Sequence, residues 1–203
     1  MFTGIITDLG EIVAFDAHHE VRTLSIATAY KASSIDIGAS IACSGVCLTV
    51  TKVKKGGPKR AVFQVDAAPE TLSITTAAQW GLGARLNLER AMSLGGELGG
   101  HLVTGHVDGI ARVVARQDFP ETSRFDFEVP QDLARFIAAK GSVCLDGTSL
   151  TVNAVEGNTF SCLLIPHTLA VTTWGSVKVG DPINLEVDLM ARYAARLAQF
   201  PRA

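Results

Sequence analysis

The sequence predicts an all-β fold: two tandem, internally duplicated six-stranded antiparallel Greek-key barrels with short helices, followed by a C-terminal α-helix. Three observations predict it. Segments of the first half recur, in order, in the second. The apolar positions are mostly Val, Ile, Leu and Ala, with 47% hydrophobic but only 6% aromatic residues. Turn signals such as Lys55-Gly56-Gly57-Pro58 and Glu156-Gly157-Asn158 cut the chain into strand-length pieces.

The repeat carries most weight. Phe2 to Val13 aligns with Val103 to Val114 at an offset of 101, and Ser44 to Val50 with Asp146 to Val152 at 102. Pro69-Glu70-Thr71-Leu72 aligns with Pro166-His167-Thr168-Leu169 at 97, and Asn87-Leu88-Glu89 with Asn184-Leu185-Glu186 at 97. Four collinear matches make a duplication. The 203 residues divide into an N-terminal barrel over 1–97, a C-terminal barrel over 98–187 and a tail over 188–203. Barrel closure removes exposed strand edges.

Taken in order, the chain opens with a strand-like segment from Phe2, and Ile41 to Val50 reads as one further strand. On that strand Cys43 and Cys47 would lie about 13 Å apart, at ~3.3 Å per residue, beyond disulfide reach. All four cysteines (Cys43, Cys47, Cys144 and Cys162) are expected as reduced thiols. Helices are expected over Glu70 to Trp80 and over Gln131 to Lys140, where Leu133, Phe136 and Ile137 keep i, i+3, i+4 spacing. The glycine run Gly95 to Gly100 is the joint between the copies. His101 falls to this joint and His106 to the first strand of the second copy, where it replaces Ile5 of the first. In Asp188 to Phe200 the residues Leu189, Tyr193, Leu197 and Phe200 form one helical stripe, which either packs on its own barrel or meets other subunits.

Composition narrows the function. A net charge of −2 offers no basic surface to nucleic acid, and few aromatics are available for base stacking. The apolar runs are too short for a membrane helix and the start has no signal-peptide pattern, so a cytoplasmic protein is expected. His101 and His106 lie five apart, on opposite faces of a strand, without a third ligand in register, so no metal is expected. Gly95 to Gly105 lacks the ending of a phosphate loop.

Period-two alternation assigns Val46, Leu48 and Val50 to the barrel core and Cys47, Thr49 and Thr51 to the other face. In the second copy Thr148, Leu150 and Val152 face the core, against Ser149, Thr151 and Asn153. Equivalent positions carry unequal chemistry: Cys47 against Ser149, Ile5 against His106, Glu70 against His167. Two related pockets with divided roles follow, one for each copy of a similar ligand. Taken singly, a cysteine such as Cys47 is more often a small core residue than a nucleophile, and Asp146 and Asp188 alone fit a turn residue and a helix cap.

These motifs together resemble a known family. M-F-T-G-I at the start, G-V-C-L-T-V at Gly45 to Val50, N-L-E-R at Asn87 to Arg90, G-G-H-L-V-T-G-H-V-D-G at Gly99 to Gly109, D-G-T-S-L-T-V at Asp146 to Val152 and I-P-H-T at Ile165 to Thr168 resemble the riboflavin synthase, alpha-chain type, lumazine-binding two-barrel family. The resemblance spans nearly the whole chain. It implies a homotrimer that converts two molecules of 6,7-dimethyl-8-ribityllumazine into riboflavin and 5-amino-6-(D-ribitylamino)uracil, the last step of riboflavin biosynthesis. One substrate gives a four-carbon unit to the other, without metal or organic cofactor. The active site lies between the N-terminal barrel of one subunit and the C-terminal barrel of its neighbour, and association with lumazine synthase is left open.

By the same resemblance the catalytic positions are Cys47, Ser40, His106, Asp146, Ser149, Thr151 and Asp188. Cys47 or a bound water is the adding nucleophile, His106 and Asp188 transfer protons, and Thr151 with Ser149 polarises the ring. Substrate contacts are carried over to Gly4, Ile5 and Ile6; to Cys47, Leu48 and Thr49; to Asp66, Ala67, Ala68, Pro69, Glu70 and Thr71; and to Gly105, His106 and Val107. In the second half they fall on Lys140, on Ser149, Leu150 and Thr151, and on Leu163, Leu164, Ile165, Pro166, His167 and Thr168. Family members commonly have Asn at the position of Ser44, and some have Glu at that of His167. A non-catalytic lumazine- or flavin-binding antenna on the same fold is the competing class, and such relatives tend to lose the reactive cysteine.

Overall fold

The computed structural model describes residues 1–18, 20–56 and 61–200, without the side chains of residues 17 and 18. The turn expected at Lys55-Gly56-Gly57-Pro58 lies partly outside these residues. Twelve strands form two closed antiparallel barrels of identical topology. The first contains β1 (Asp8–His18), β2 (Val21–Thr28), β3 (Ser40–Cys43), β4 (Val46–Lys55), β5 (Ala61–Ala67) and β6 (Arg85–Arg90), in the closed order β1-β2-β5-β4-β3-β6. The second contains β7 (Gly109–Asp118), β8 (Ser123–Glu128), β9 (Ser142–Leu145), β10 (Thr148–Glu156), β11 (Thr159–Leu164) and β12 (Pro182–Val187), which close in the equivalent order.

The duplication extends to irregularities. A bulge between Ile12 and Ala14 on β1 recurs between Val113 and Ala115 on β7, and one between Val50 and Lys52 on β4 recurs between Val152 and Ala154 on β10. Such bulges bend a strand enough for a small barrel to close.

Each barrel has its own core. Ile12, Leu24, Ile26, Phe63 and Leu88 fill the first, and Phe125, Phe127, Phe160 and Trp174 the second. Trp174 meets Phe125 edge-on at 5.3 Å and gives its indole N–H to Thr148 Oγ1 at 3.0 Å. Val46, Leu48, Val50, Thr148, Leu150 and Val152 are buried as alternation predicts. A third, smaller cluster of Phe2, Ala42, Val103 and Cys144, with Cys47 against it, lies between the barrels.

The structure corrects several local expectations. Ile41 to Val50 is a hairpin, not one strand: Ser44 (φ 41°) and Gly45 (φ 81°) make a tight turn between β3 and β4. Two successive positive φ values are what a two-residue hairpin of matching twist needs. Asp146 (φ 44°) and Gly147 (φ 80°) repeat it between β9 and β10. Cys43 and Cys47 therefore lie on neighbouring strands, Cys43 inside the barrel core and Cys47 on the outer face. All four cysteines are free, as expected, but orientation rather than strand length separates these two.

The Glu70 helix is α1 (Pro69–Ile74) followed by a separate 3-10 turn over Thr76–Gln79. Thr75 is extended, and its side chain accepts from Ala77 N, so it ends the first helix and caps the second. The Gln131 helix shortens to α2 (Gln131–Ala134) and continues as tight turns that still bury Ile137. The Phe2 and Val103 segments are not barrel strands; β1 and β7 start at Asp8 and Gly109, so His106 precedes the first strand of its barrel. Two further helices are α3 (Pro166–Val171) and α4 (Leu189–Ala198). Among the described residues no helix is long and apolar enough to cross a membrane.

The barrels are joined by reciprocal contacts. Phe2 and Val103 exchange two backbone hydrogen bonds, at 2.7 and 3.1 Å. Asn87 Nδ2 donates to Asp146 O, and Asn87 Oδ1 accepts from Thr173 N. Asn184 does the same in reverse, donating to Ser44 O and accepting from Thr76 N. The two hairpin turns meet so closely that a Cβ on Gly45 would stand 2.7 Å from Gly147 N.

Candidate active site

Each half of the repeat begins with a T-G dipeptide that crosses to the other barrel. A buried glutamate of its own half holds it there. Glu89 accepts from Thr3 N and Thr3 Oγ1 at 2.7 Å each and from Gly4 N at 2.9 Å. Glu186 accepts from Thr104 N, Thr104 Oγ1 and Gly105 N at 2.6 to 2.8 Å. Three donors offset the cost of burying each carboxylate.

So anchored, the glycines press on the two residues that the alignment made equivalent. Gly105 O accepts from Cys47 N, and Gly4 O from Ser149 N, both at 2.8 Å. A Cβ on Gly105 would fall 2.6 Å from Cys47 Cβ, and one on Gly4 2.5 Å from Ser149 Cβ, with φ near +76° at both. Only glycine permits this approach and this backbone. The backbone frame is thus built twice from one plan, with different side chains at its centre.

The first pocket is a cavity of about 320 Å³ beside Cys47. Glu70, Thr71, Gly105, His106 and Val107, all named from the sequence, line it with Cys47. Val46, Ile74, Thr75 and Arg192 complete it, and sequence reasoning missed these four. Ser40 pairs with Thr49 across β3 and β4, on the face that carries Cys47. Leu48 and Ala67 point into the core and can offer a ligand only backbone. Ala68 and Pro69 start α1, and Asp66 accepts from Thr23 Oγ1 at 2.6 Å.

At the second centre the half-buried Ser149 meets a residue that had been assigned to the joint. His101 Nδ1 lies 2.7 Å from Ser149 Oγ, and His101 N donates to Thr3 O. Burial lowers the His101 pKa, and the negative charge of Asp188 opposes that shift. Asp188 also caps α4, its Oδ1 accepting from Met190 N at 2.8 Å. Thr151 shares the outer face of β10 with Ser149 and is exposed. Leu150 and Leu164 are core residues, whereas Ile5, Leu163 and Ile165 are exposed. Pro166, His167 and Thr168 form the first turn of α3, and Lys140 is an exposed residue at φ 67° whose N–H bonds Val152 O.

Asp146 is not brought to either centre. It occupies the β9–β10 turn against the facing turn of the first barrel, and its Oδ1 accepts from Asn184 N at 2.9 Å. Burial pushes its pKa up to about 7; the Asn184 N–H opposes this and the charge of Asp181 adds to it. Sequence signals for His101 and Arg192 existed only as a histidine near a joint and a basic residue on a helix. Their contacts link positions 48 and 84 residues apart.

Comparison with known proteins follows the same division. The chain matches the lumazine binding domain family twice, over residues 3–91 and 104–188. It is 54% identical over 202 residues to a riboflavin synthase of Brucella abortus, with all of both chains covered. It is 35% identical to a riboflavin synthase of Bacillus subtilis, covering 97% of this chain and 89% of that one. Among solved structures, LumP complexed with riboflavin superposes with a TM-score of 0.82 at 21% identity, over 92% of this chain and 99% of that one. At that identity the likeness is one of fold.

Proposed function

This chain belongs to the lumazine-binding domain family, and from that premise we infer that it is a riboflavin synthase, which converts two molecules of 6,7-dimethyl-8-ribityllumazine into riboflavin and 5-amino-6-(D-ribitylamino)uracil. The observation that carries the reading is the doubled backbone frame with unequal centres. Cys47 and Ser149 occupy the same backbone frame, each against the glycine of the opposite half. A reaction between two copies of one substrate needs two similar binding frames and different chemistry in each.

The substrate's 7-methyl group is acidic because the pteridine ring delocalises the resulting negative charge, so a base or activated water can remove its proton. The second molecule must accept a nucleophile at C7. Cys47, half-buried at the edge of the first cavity, or a water beside it, serves as that nucleophile. His106 at the same cavity moves protons there. In the second pocket Ser149 and Thr151 polarise the ring, and Asp188 acts beside His101, which orients the Ser149 hydroxyl. Holding two flat ligands face to face supplies much of the rate, since orientation alone contributes roughly 7–11 kcal/mol.

The assembly is a homotrimer in which the first pocket of one protomer faces the second pocket of its neighbour. Tyr193 and Leu197 on α4 and Phe200 just beyond it support it, being 61%, 73% and 67% exposed and so uncovered by their own barrel. Cosedimentation with lumazine synthase tests the further partner. The activity itself is tested by incubating the purified protein with 6,7-dimethyl-8-ribityllumazine alone and following flavin absorbance. Riboflavin should form at half the molar amount of substrate consumed. Bound substrate without riboflavin would make the chain an antenna protein instead.

A further inference from the structure

Arg192 lies on α4, four residues past the helix cap, with its backbone N–H bonded to Asp188 O. Its side chain turns back to the first barrel's pocket and lines the cavity with Cys47, His106 and Glu70. One end of the guanidinium is fixed: Nη2 donates to Asp108 Oδ2 at 2.8 Å, an oxygen that also accepts from Val187 N. The other side is not, because Nε is buried without a hydrogen-bond partner. A guanidinium carries five donors in a fixed fork, and a buried one left unmatched is costly unless something else accepts.

We propose that Arg192 is a substrate-facing cation of the first pocket, holding the negative charge that spreads over the heteroaromatic dione when a nucleophile adds at its C7. This rests on the reaction inferred above. The ligand it suits is a planar ring whose carbonyl oxygens become partly anionic, since a guanidinium held by one carboxylate still presents donors to a second acceptor. Its surroundings give it that role. Asp108, before β7, anchors it; Glu70, on α1, and His106 stand at the same cavity wall; Asp188, which caps α4, is not among the residues lining it. Of the side chains lining the cavity, Arg192 alone bears a charge that is positive at every working pH. Stabilising charge that develops only during reaction accelerates the step rather than tightening substrate binding.

The test is the pH dependence of kcat in the full-length enzyme, for wild type, Arg192→Met and Arg192→Lys. Removing a cation from beside a developing anion should move the basic-going rise of kcat upward by roughly one pH unit or more, with the deficit at neutral pH recovered at high pH. KM should change far less, and Arg192→Lys should show a smaller displacement. If Arg192 only props the Gly105–Asp108 segment through Asp108, activity falls equally at all pH values and the thermal midpoint falls with it, which would overturn the proposal. An unchanged profile in both variants overturns it too. Failure of the parent reading looks different, because wild type itself would then form no riboflavin. Should Arg192→Met not fold, Arg192→Gln, which removes the charge but keeps a hydrogen-bond donor for Asp108, is read by the same criteria.

Discussion

The difference between the two halves at their centres comes down to single side chains. Cys47 and Ser149 have the same neighbours above them, a crossing glycine and its carbonyl, so their difference is chemical rather than positional. Replacing Cys47 by Ser should therefore lower turnover roughly tenfold or more while leaving lumazine affinity within about twofold; equal losses in kcat and affinity would make Cys47 a packing residue. Asp146 belongs to a different account. Its carboxyl is raised to about 7 in the fold, against an ordinary 3.8. Between those values the folded chain holds a proton that the unfolded chain has released, so stability falls as pH rises from about 4 to 7. Asp146→Asn keeps an acceptor for Asn184 N and removes the titration. Melting temperatures across this range should converge at low pH and favour the variant above pH 7; a wild type that gains stability over the same interval would contradict the assignment. At this scale the sequence was informative about Cys47, His106 and Ser149, which stand at duplicated positions with unequal chemistry. It placed His101 at the joint but was silent about its partner, because a hydrogen bond to a hydroxyl 48 residues away leaves no local pattern.

At the scale of elements, the N-L-E motif explains why the two copies fit each other. Asn87 and Asn184 reach across to the opposite hairpin turn, while Glu89 and Glu186 hold the crossing T-G segments. Truncating Asn87 to Ala leaves Thr173 N and Asp146 O without partners, which should cost roughly 2–4 kcal/mol in a denaturant titration; a loss under about 0.5 kcal/mol would mean that water replaces the amide. Repeats and alternation made the strands of β4 and β10 readable, down to which residues face the core. The hairpins were harder. The run Ile41 to Val50 is apolar enough to pass for one strand, and its turn depends on Ser44 accepting a left-handed backbone, which its equivalent Asp146-Gly147 signals more openly. The shortened helices have an equally physical cause: Thr75 uses its hydroxyl on the next turn, so helical spacing over Glu70 to Trp80 covers two short elements.

For the whole molecule, the chain exchanges its leading segments between barrels, so neither centre is made by one repeat alone. Val107, from the second copy, is part of the first barrel's core. No alternation or motif announces such an exchange, since it depends on where the barrels pack. The tail is the converse case: its stripe was legible, and the chain leaves Tyr193, Leu197 and Phe200 of it exposed while Leu189 is half-buried. If the proposed trimer is held by the tail, deleting Leu189 to Ala203 should leave monomers by analytical ultracentrifugation, and a truncated protein of trimer mass would place the contact elsewhere. The central claim is that unlike pockets on neighbouring protomers act together on two substrates. Its most direct test mixes two variants, Cys47→Ser and Ser149→Ala, unfolds them together and lets them reassemble. In a closed ring each mixed trimer contains one interface with an intact Cys47 facing an intact Ser149. Riboflavin formation should then exceed that of either variant alone. A mixture no more active than its components, in assemblies shown to be mixed, would contradict the account.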